Sequence, residues 1–189
     1  KYIATLLPIF TVNELGWTNV EYSQYYATAK LIGGILGMLL GGVLIDKYGK
    51  KRMMSFYLWG FILLITIFSF SKIYWGSKSF IYAFMIAQNV LYTLACISLF
   101  AIAMQCCWKK VSASQFTLYM TIANLGQIVF AALIGPVKAA FSWQNSFLLF
   151  AVMIAAAWLS LRLLNIKKQT EAVSGLDDRD NGGGQLQAG

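Results

Sequence analysis

The sequence predicts an all-α, polytopic membrane protein on three observations. Hydrophobic residues make up 59% of the 189-residue chain and charged residues only 12%, whereas soluble domains are usually about 45–50% apolar and about 25% charged. The few charges are clustered, and long charge-free runs lie between the clusters. Several of these runs approach the roughly 20 apolar residues that a helix needs to cross a bilayer.

The charge-free runs predict one partial and five full transmembrane helices. The first run is too short to span and starts at Lys1 without an initiator Met, so we expect the outer end of a helix that begins upstream. A secretory signal is the alternative, but the run has no basic segment before it and no small-residue cleavage site. The second run spans only if it starts near Tyr22 and includes Lys30. The predicted helices are Lys1–Val12, Tyr22–Ile45, Met53–Ser71, Ser79–Gln105, Ala113–Val137 and Trp143–Leu164.

Charged residues separate the later helices. The third helix follows a basic cluster directly, and each later gap carries at least one lysine. Such charges are costly in hydrocarbon, so the spans are expected to end where the charges begin. The separating residues are, in chain order, Lys50, Lys51, Arg52, Lys72, Lys78, Lys109, Lys110 and Lys138.

The positive charges also predict the orientation. Nine lysines and arginines fall on one side of the predicted helices and three on the other. Because cytoplasmic loops carry the excess of these residues, we expect the larger set and the C-terminus to be cytoplasmic, in a bacterial inner membrane or a plasma membrane. The larger set is Lys47, Lys50, Lys51, Arg52, Lys109, Lys110, Arg162, Lys167 and Lys168, and the smaller set is Lys72, Lys78 and Lys138.

The last segment of the chain differs from the rest in composition. Residues 169–189 contain the acidic cluster around Asp178 and the run Gly182–Gly184, and they lack aromatic residues. Such a segment cannot bury enough apolar surface to fold. The sequence therefore predicts a transmembrane bundle over residues 1–168 and a disordered cytoplasmic tail over residues 169–189.

Missing residue types exclude several classes of site. The chain has no histidine, which excludes Ser-His-Asp and Cys-His catalysis and His-ligated zinc within it. Its three cysteines form no CxxC pair, so neither a disulfide framework nor a four-cysteine metal site fits. We therefore expect no enzyme activity, no metal and no cofactor. The net charge of +8 is spread over the loops and not gathered on one face, so we expect no nucleic-acid partner.

The loop between the second and third helices carries the most specific pattern in the chain. It runs from Gly42 to Arg52 and reads GVLIDKYGKKR. Gly49 permits a left-handed backbone in a tight turn, and Asp46 can accept hydrogen bonds from the N-terminus of a neighbouring helix. An ordinary basic loop would explain the lysines and the arginine, but it would explain neither the aspartate nor the spacing of the glycines.

This loop resembles the G-x-x-x-D-[RK]-x-G-[RK]-[RK] signature of the major facilitator superfamily and matches it at every specified position. The resemblance implies a major-facilitator-type six-helix bundle with a truncated first helix, namely helices seven to twelve of a twelve-helix transporter. It also implies that the loop is a conformational latch that breaks during alternating access, in which Gly42 allows close helix packing. The latch residues would be Gly42, Asp46, Lys47, Gly49, Lys50 and Lys51.

Three shorter segments resemble one branch of that superfamily. The branch includes muropeptide permeases, acetyl-coenzyme A transporters and siderophore uptake permeases. The match departs from the usual patterns at Ser114, Thr117 and Ser142, so it assigns no single substrate. The segments are Gly16–Thr18, Ser114–Leu118 and Ser142–Phe147.

Lys30 is the one charge well inside a predicted helix. An ionisable residue there costs roughly 2.5–3.5 kcal/mol on insertion scales. Two interpretations stay open. The lysine lies within about two turns of the helix start, so its side chain could snorkel to the outer interface. Alternatively, it could attract an anionic substrate into a cavity.

Small residues follow one face of the second helix. Gly33, Gly37 and Gly41 recur at every fourth position. A stripe of this kind lets two membrane helices approach closely. We therefore expect a packing face at these glycines and not a ligand contact.

Polar side chains on the fourth and fifth helices are the candidate lining of a substrate cavity. Buried amides need partners, so they should face other helices or water and not lipid. Hydrogen bonding between helices is the alternative for each residue alone, at roughly 0.6 kcal/mol per bond. The second helix adds a lysine and a tyrosine, and the branch resemblance adds a glutamine near the cytoplasmic end of the fifth helix. The candidates are Lys30, Tyr26, Gln88, Asn89, Tyr92, Gln115, Thr121 and Asn124.

These features predict half of a secondary active transporter that works by alternating access. The resemblance and Lys30 together indicate a small anionic or amphiphilic solute, of the muropeptide, siderophore or coenzyme kind. A polytopic scaffold or receptor that does not transport is the alternative, but it has no need of a latch. The other expected partners are the lipid bilayer, the N-terminal six-helix half, and protons as the coupling ion. No Asp or Glu lies deep in a predicted helix, so the coupling acid of a proton-driven transporter is expected in that N-terminal half.

Overall fold

The computed structural model describes residues 2–163, 166 and 168–176, together with their side chains except those of residues 2–4 and 138. No strand occurs in this part of the chain. The prediction of an all-α membrane protein is confirmed, because five of the helices are long and apolar enough to cross a bilayer. Short 3-10 helices occupy Lys72–Tyr74 and Lys109–Val111. The α-helices are α1 (Tyr2–Asn13), α2 (Asn19–Tyr48), α3 (Lys50–Phe70), α4 (Lys78–Gln105), α5 (Ser112–Ala140) and α6 (Trp143–Leu163).

Local capping explains where α2 begins and ends. At its start, the backbone N–H of Glu21 donates to Thr18 Oγ1 at 3.2 Å, and the N–H of Thr18 donates to Glu21 Oε2 at 3.0 Å. This reciprocal capping box satisfies two donors that a helix N-terminus otherwise leaves unpaired. At its end, Gly49 has φ 87°, a conformation that glycine adopts without steric cost. The chain therefore turns directly from α2 into α3.

α2 and α4 pack along the stripe of glycines on α2, and we call this contact the glycine seam. A Cβ atom built on any of the three glycines would lie closer than 3.0 Å to a side-chain atom of α4, a distance that real Cβ atoms essentially never show. The packing interpretation of the stripe is therefore confirmed. The distance from the added Cβ is 2.8 Å to Asn89 Cβ at Gly33, 2.7 Å to Thr93 Cβ at Gly37 and 2.7 Å to Ile97 Cδ1 at Gly41.

An aromatic cluster joins α1, α3, α4 and α6 at the opposite end of the bundle from the signature loop. The ring of Phe10 on α1 lies edge-on to Trp75 and Trp143, with centroids 4.9 Å and 5.2 Å away. Phe68 on α3 stacks on Phe84 of α4 at 3.9 Å. Aromatic pairs of this kind each add about 0.5–1.5 kcal/mol beyond the burial of their area. The cluster therefore holds four helices together at this end.

α5 is packed much less closely than the other long helices. Only 6% of its span is buried within the bundle, against 22–33% of the other four spans. Ile134 is the one buried residue among the described side chains of α5. Most of this helix therefore faces either the surroundings of the bundle or an internal space.

The chain stays helical beyond the predicted bundle. Residues 169–176, which the sequence assigns to a disordered tail, are helical in the structure. Glutamine, glutamate and alanine in this stretch favour helix, and Ser174 Oγ donates to the carbonyl of Glu171 at 2.9 Å. The remainder of the predicted tail, residues 177–189, lies outside the described residues.

Candidate functional site

A cavity of about 480 Å³ lies between α4, α5 and α6. Its polar lining residues are Tyr92 on α4 and the amides Asn124 and Gln127 on α5. An apolar wall with a few converging polar groups is the usual form of a small-molecule site. The structure thus brings two of the predicted candidates, Tyr92 and Asn124, to one cavity. Apolar side chains from all three helices complete the wall, including Phe100, Met120, Phe130, Phe150 and Met153.

A second cavity of about 540 Å³ continues the first toward the end of the bundle with the basic loops. Both are lined by Leu99, Met120 and Ala123, so they adjoin along α5, and we call the two together the α5 cleft. Cys106 lines its far end. Burial raises the pKa of the Cys106 thiol, Cys107 adds to the rise, and Lys50 opposes it. The cleft accounts for the low burial of only one face of α5, since exposed residues such as Leu118 and Ile122 lie outside it.

Gln88 lies one turn before Tyr92 on the same face of α4. It is 4% exposed, and its Oε1 atom has no hydrogen-bond partner among the described residues. A buried acceptor without a partner costs about 1–3 kcal/mol. This oxygen therefore needs a partner from outside the described chain, such as water, a solute or another part of the protein.

Asn89 belongs to the glycine seam and not to the α5 cleft. Its Nδ2 donates to the carbonyl of Met85 at 2.8 Å, and its Cβ faces Gly33. The hydroxyl of Thr93 donates to the Asn89 carbonyl at 2.9 Å. Of the two adjacent amides predicted for the cavity, Gln88 is thus the one with an unmatched polar atom.

Tyr26 and Lys30 share one flank of α2, since they are separated by four residues. Tyr26 stacks on Tyr22, with ring centroids 5.5 Å apart. Lys30 is exposed and does not line the α5 cleft. Tyr26 and Lys30 therefore share one flank of α2, and both stand outside the cleft.

Gln115 and Thr121 are the two remaining candidates, and neither lines the cleft. Gln115 Oε1 accepts a hydrogen bond from the backbone N–H of Trp108 at 2.7 Å. This contact ties the loop before α5 to the first turn of that helix. The hydroxyl of Thr121 is exposed and donates to the carbonyl of Thr117 at 2.9 Å, so it is satisfied within its own helix.

Sequence reasoning missed the apolar wall of the cleft. Phenylalanine and methionine residues on membrane helices look alike whether they face lipid, a core or a cavity, so no signal separated Phe130 or Met153 from their neighbours. It also missed the role of Gln115, because its partner is a backbone group seven residues away. The spacing of Asn124 and Gln127 did carry a signal, since residues three apart lie on one helical face.

The signature loop is a tight turn with an exposed acidic side chain. The carboxylate of Asp46 is exposed and has neither an ion pair nor a hydrogen bond to any described residue. A Cβ on Gly42 would meet nothing within 4 Å, whereas Gly41 packs against Ile97. The close packing that the resemblance implies for Gly42 is therefore made by its neighbour. A latch through Asp46 needs a partner outside the described residues and stays a prediction.

Comparison with known proteins gives a consistent result. The sequence model of the Major Facilitator Superfamily matches residues 1–181. The chain is 27% identical over 143 residues to a protein named as transporter AmpG 1 of Rickettsia bellii, which covers 75% of this chain and 34% of that protein. It is 26% identical over 155 residues to one named as transporter AmpG 1 of Rickettsia prowazekii, covering 81% of this chain and 34% of that protein. It is 21% identical over 168 residues to one named as transporter AmpG 2 of Rickettsia bellii, covering 87% of this chain and 40% of that protein.

The chain therefore spans between about a third and two fifths of the length of these relatives. No solved structure matches it. The relatives support the branch of the superfamily that the three short segments indicate. The five long apolar helices make the chain an integral part of a membrane. Since the family match covers nearly the whole chain and agrees with the signature loop and the helices, the chain belongs to the Major Facilitator Superfamily.

Proposed function

We propose that this chain forms one six-helix half of a secondary active transporter that moves a small solute by alternating access. Membership of the superfamily supports transport in general. The observation that carries the proposal is the α5 cleft, an apolar space with the polar side chains Tyr92, Asn124 and Gln127 in its lining. In transporters built from two bundles, the substrate lies near the bilayer midplane and the bundles rock around it.

The proposed solute is amphiphilic and carries an anionic group, as muropeptide-, siderophore- and coenzyme-like molecules do. The apolar wall of the cleft supports an amphiphilic solute, because phenylalanine and methionine side chains favour apolar groups. Lys30 supports an anionic group, because it is the one charge well inside a membrane helix of this chain. Neutral amides at Asn124 and Gln127, which line the cleft, would hydrogen-bond to the polar part of such a solute.

The remaining parts of the proposal concern the whole transporter. The excess of lysine and arginine on one side supports a cytoplasmic C-terminus in a bacterial inner or plasma membrane. The basic loop with Asp46 is proposed as the latch, and its partner as a residue of the N-terminal half. If protons drive transport, the coupling acid is proposed to lie in that same half, because the helices of this chain carry no deep carboxylate.

Uptake of a radiolabelled muropeptide, siderophore or coenzyme by cells that produce the full-length protein tests the proposal. Asn124→Leu and Gln127→Leu should each lower uptake about tenfold or more, because losing a buried hydrogen bond to a solute costs about 1–3 kcal/mol. Thr117→Val is the matched control, since this exposed α5 hydroxyl lies outside the cleft and already bonds to the Ala113 carbonyl at 2.8 Å. Equal uptake by all variants at equal membrane abundance would contradict the cleft as the solute site. If the parent protein took up none of the three solutes, a scaffold or receptor would be favoured.

A further inference from the structure

A groove of about 680 Å³ lies between α3 and α6, at the end of the bundle that carries the signature loop. Three of its lining residues are cationic, namely Lys51 and Arg52 in the first turn of α3 and Arg162 in the last turn of α6. No aspartate or glutamate is among the described residues that line it. The groove adjoins the α5 cleft at Leu161, but its other lining residues do not line the cleft. It combines a positive rim with the aromatic side chains of Phe56 and Trp59.

Contacts between the two helices hold the cationic rim in place. Trp158 Nε1 on α6 donates a hydrogen bond to Ser55 Oγ on α3 at 2.7 Å, and the ring of Trp59 packs edge-on to Trp158 at 5.3 Å. The guanidinium of Arg162 lies 4.2 Å from the centroid of the Trp158 ring, a cation–π contact. Lys51 Nζ lies 3.5 Å from the Arg162 carbonyl oxygen. The position of Arg162 is therefore set before any ligand arrives.

The start of α3 adds to the positive potential of the rim. Lys51 and Arg52 belong to its first turn, where the helix dipole places partial positive charge. The preceding residue, Gly49, has no side chain with which to cap the helix. Three side-chain cations and the positive end of a helix therefore face a groove whose described lining contains no acid, an arrangement that favours an anion.

The outer face of α3 continues from the groove as an apolar stripe. Phe56, Trp59 and Leu63 are 67%, 51% and 60% exposed, and their spacing of three and four residues puts them on one side of the helix. Ile67 and Phe70 extend the same stripe, with 51% and 67% exposure. In a membrane such a face contacts acyl chains. A ligand that fills the groove therefore meets cations at one end and a long apolar surface at the other.

We propose that this groove binds an anionic phospholipid, with the headgroup phosphate between Lys51, Arg52 and Arg162 and an acyl chain along the α3 stripe. Basic pockets between membrane helices bind anionic headgroups, and the planar guanidinium fork of arginine matches the geometry of phosphate. A zwitterionic lipid carries its own cation and does not neutralise this rim. A soluble phosphate ester matches the rim but leaves the apolar stripe without a partner.

Titration of the purified full-length protein with single phospholipids, read by native mass spectrometry, tests the proposal. The parent protein should bind phosphatidylglycerol more tightly than phosphatidylcholine of the same chain length. Each basic residue near a membrane surface contributes roughly fivefold to the affinity for anionic lipid, so Arg52→Gln with Arg162→Gln should lower it roughly 25-fold. The matched control is Lys47→Gln with Lys110→Gln, two basic residues at the same end that do not line the groove, and it should keep the parent affinity.

A second variant tests the groove without removing a cation. Ser55→Asp keeps an acceptor for Trp158 Nε1 and places a carboxylate in the groove, so it should lower phosphatidylglycerol binding as strongly as the double variant. Equal losses in the arginine and lysine double variants would overturn the proposal, because they would indicate a diffuse surface charge. Equal binding of the two lipids by the parent protein would also overturn the proposal. Full displacement of phosphatidylglycerol by an equal concentration of glycerol 1-phosphate would overturn it as well.

Discussion

The two sides of α4 are packed in opposite ways. On one side the glycine seam brings α2 so close that Gly37 has no room for a methyl group beside Thr93. On the other side the α5 cleft separates α4 from α5, and residues such as Tyr92 and Met120 line open space. A glycine backbone that packs against the side chains of a neighbouring helix leaves no space for a ligand, whereas large side chains that do not interdigitate leave a cavity. We infer that α2 and α4 act as one rigid unit and that solute binding belongs to the α5 side.

Adding one methyl group to the seam should have the largest effect on stability. In Gly37→Ala the new Cβ would lie 2.5 Å from Thr93 Cγ2, and overpacking of this kind costs about 1–3 kcal/mol. We expect a lower Tm and lower membrane abundance of the full-length protein. Gly34→Ala is the control, because a Cβ at Gly34 meets nothing within 4 Å. If both variants behaved alike, the seam would not be the tight contact described here.

Filling the cleft should lower transport without lowering stability, which is the reverse of the effect expected at the seam. Ala123 lines both lobes of the α5 cleft, so Ala123→Phe should occupy solute space without displacing a packed neighbour. We expect uptake to fall about tenfold or more, equivalent to about 1.4 kcal/mol, while Tm stays the same or rises. Uptake and thermal unfolding are measured on the same preparation. A fall in Tm as large as that of Gly37→Ala would show that this side of α4 is also closely packed.

Removing the tie at the start of α5 should have a moderate effect. Gln115→Ala loses the 2.7 Å hydrogen bond from the Trp108 N–H, and a typical hydrogen bond contributes about 1 kcal/mol. Because α5 has few other buried contacts, we expect faster hydrogen exchange in the loop before α5 and in its first turn. Thr117→Val serves as the control on the same helix. Unchanged exchange in Gln115→Ala would mean that other contacts hold the loop.

Thiol labelling compares how accessible the two sides of α4 are to a small reagent. Cys106 lines the α5 cleft, while Ala29 is fully buried on the stripe of α2 that packs on α4. In a full-length protein without other cysteines, Cys106 should react with a maleimide and Ala29→Cys should not. Because burial raises the pKa of the Cys106 thiol and the thiolate is the reactive form, its labelling should be slow at neutral pH and should accelerate as pH rises. A rate that does not depend on pH would contradict a thiol that is protonated at neutral pH.

The ion pair near the N-terminal end of the seam should have the smallest effect. Lys78 Nζ lies 2.8 Å from Glu21 Oε1, and both side chains are exposed. Exposed ion pairs contribute little because water and salt screen them. Lys78→Gln should therefore leave Tm unchanged at low and high salt, since Glu21 keeps its capping contact with Thr18. A clear loss of Tm at low salt would show that the ion pair, and not the glycine packing alone, holds α2 to α4.

Some parts of the candidate site could be predicted and others could not. The stripe at Gly33, Gly37 and Gly41 was visible because residues four apart share a helical face, and the packing it predicts is observed. Gln88 and Asn89 could not be told apart, since both are amides and adjacent residues point about 100° apart on a helix. Only the positions of α2 and α5 around α4 decide that Asn89 enters the seam.

The sequence by itself determined the five long spans, the tight turn at Gly49 and the family, because each depends on transfer free energies or backbone preferences of residues near one another in the chain. The tertiary structure alone decided which polar residues line the α5 cleft, that Gln115 ties a loop, and that Arg162 stands beside Arg52 on one groove. Those arrangements depend on how each helix is rotated and on which helix lies beside it. Rotation and neighbour are set by contacts between residues far apart in the chain, such as Gly37 with Thr93 and Ser55 with Trp158, which no local pattern encodes.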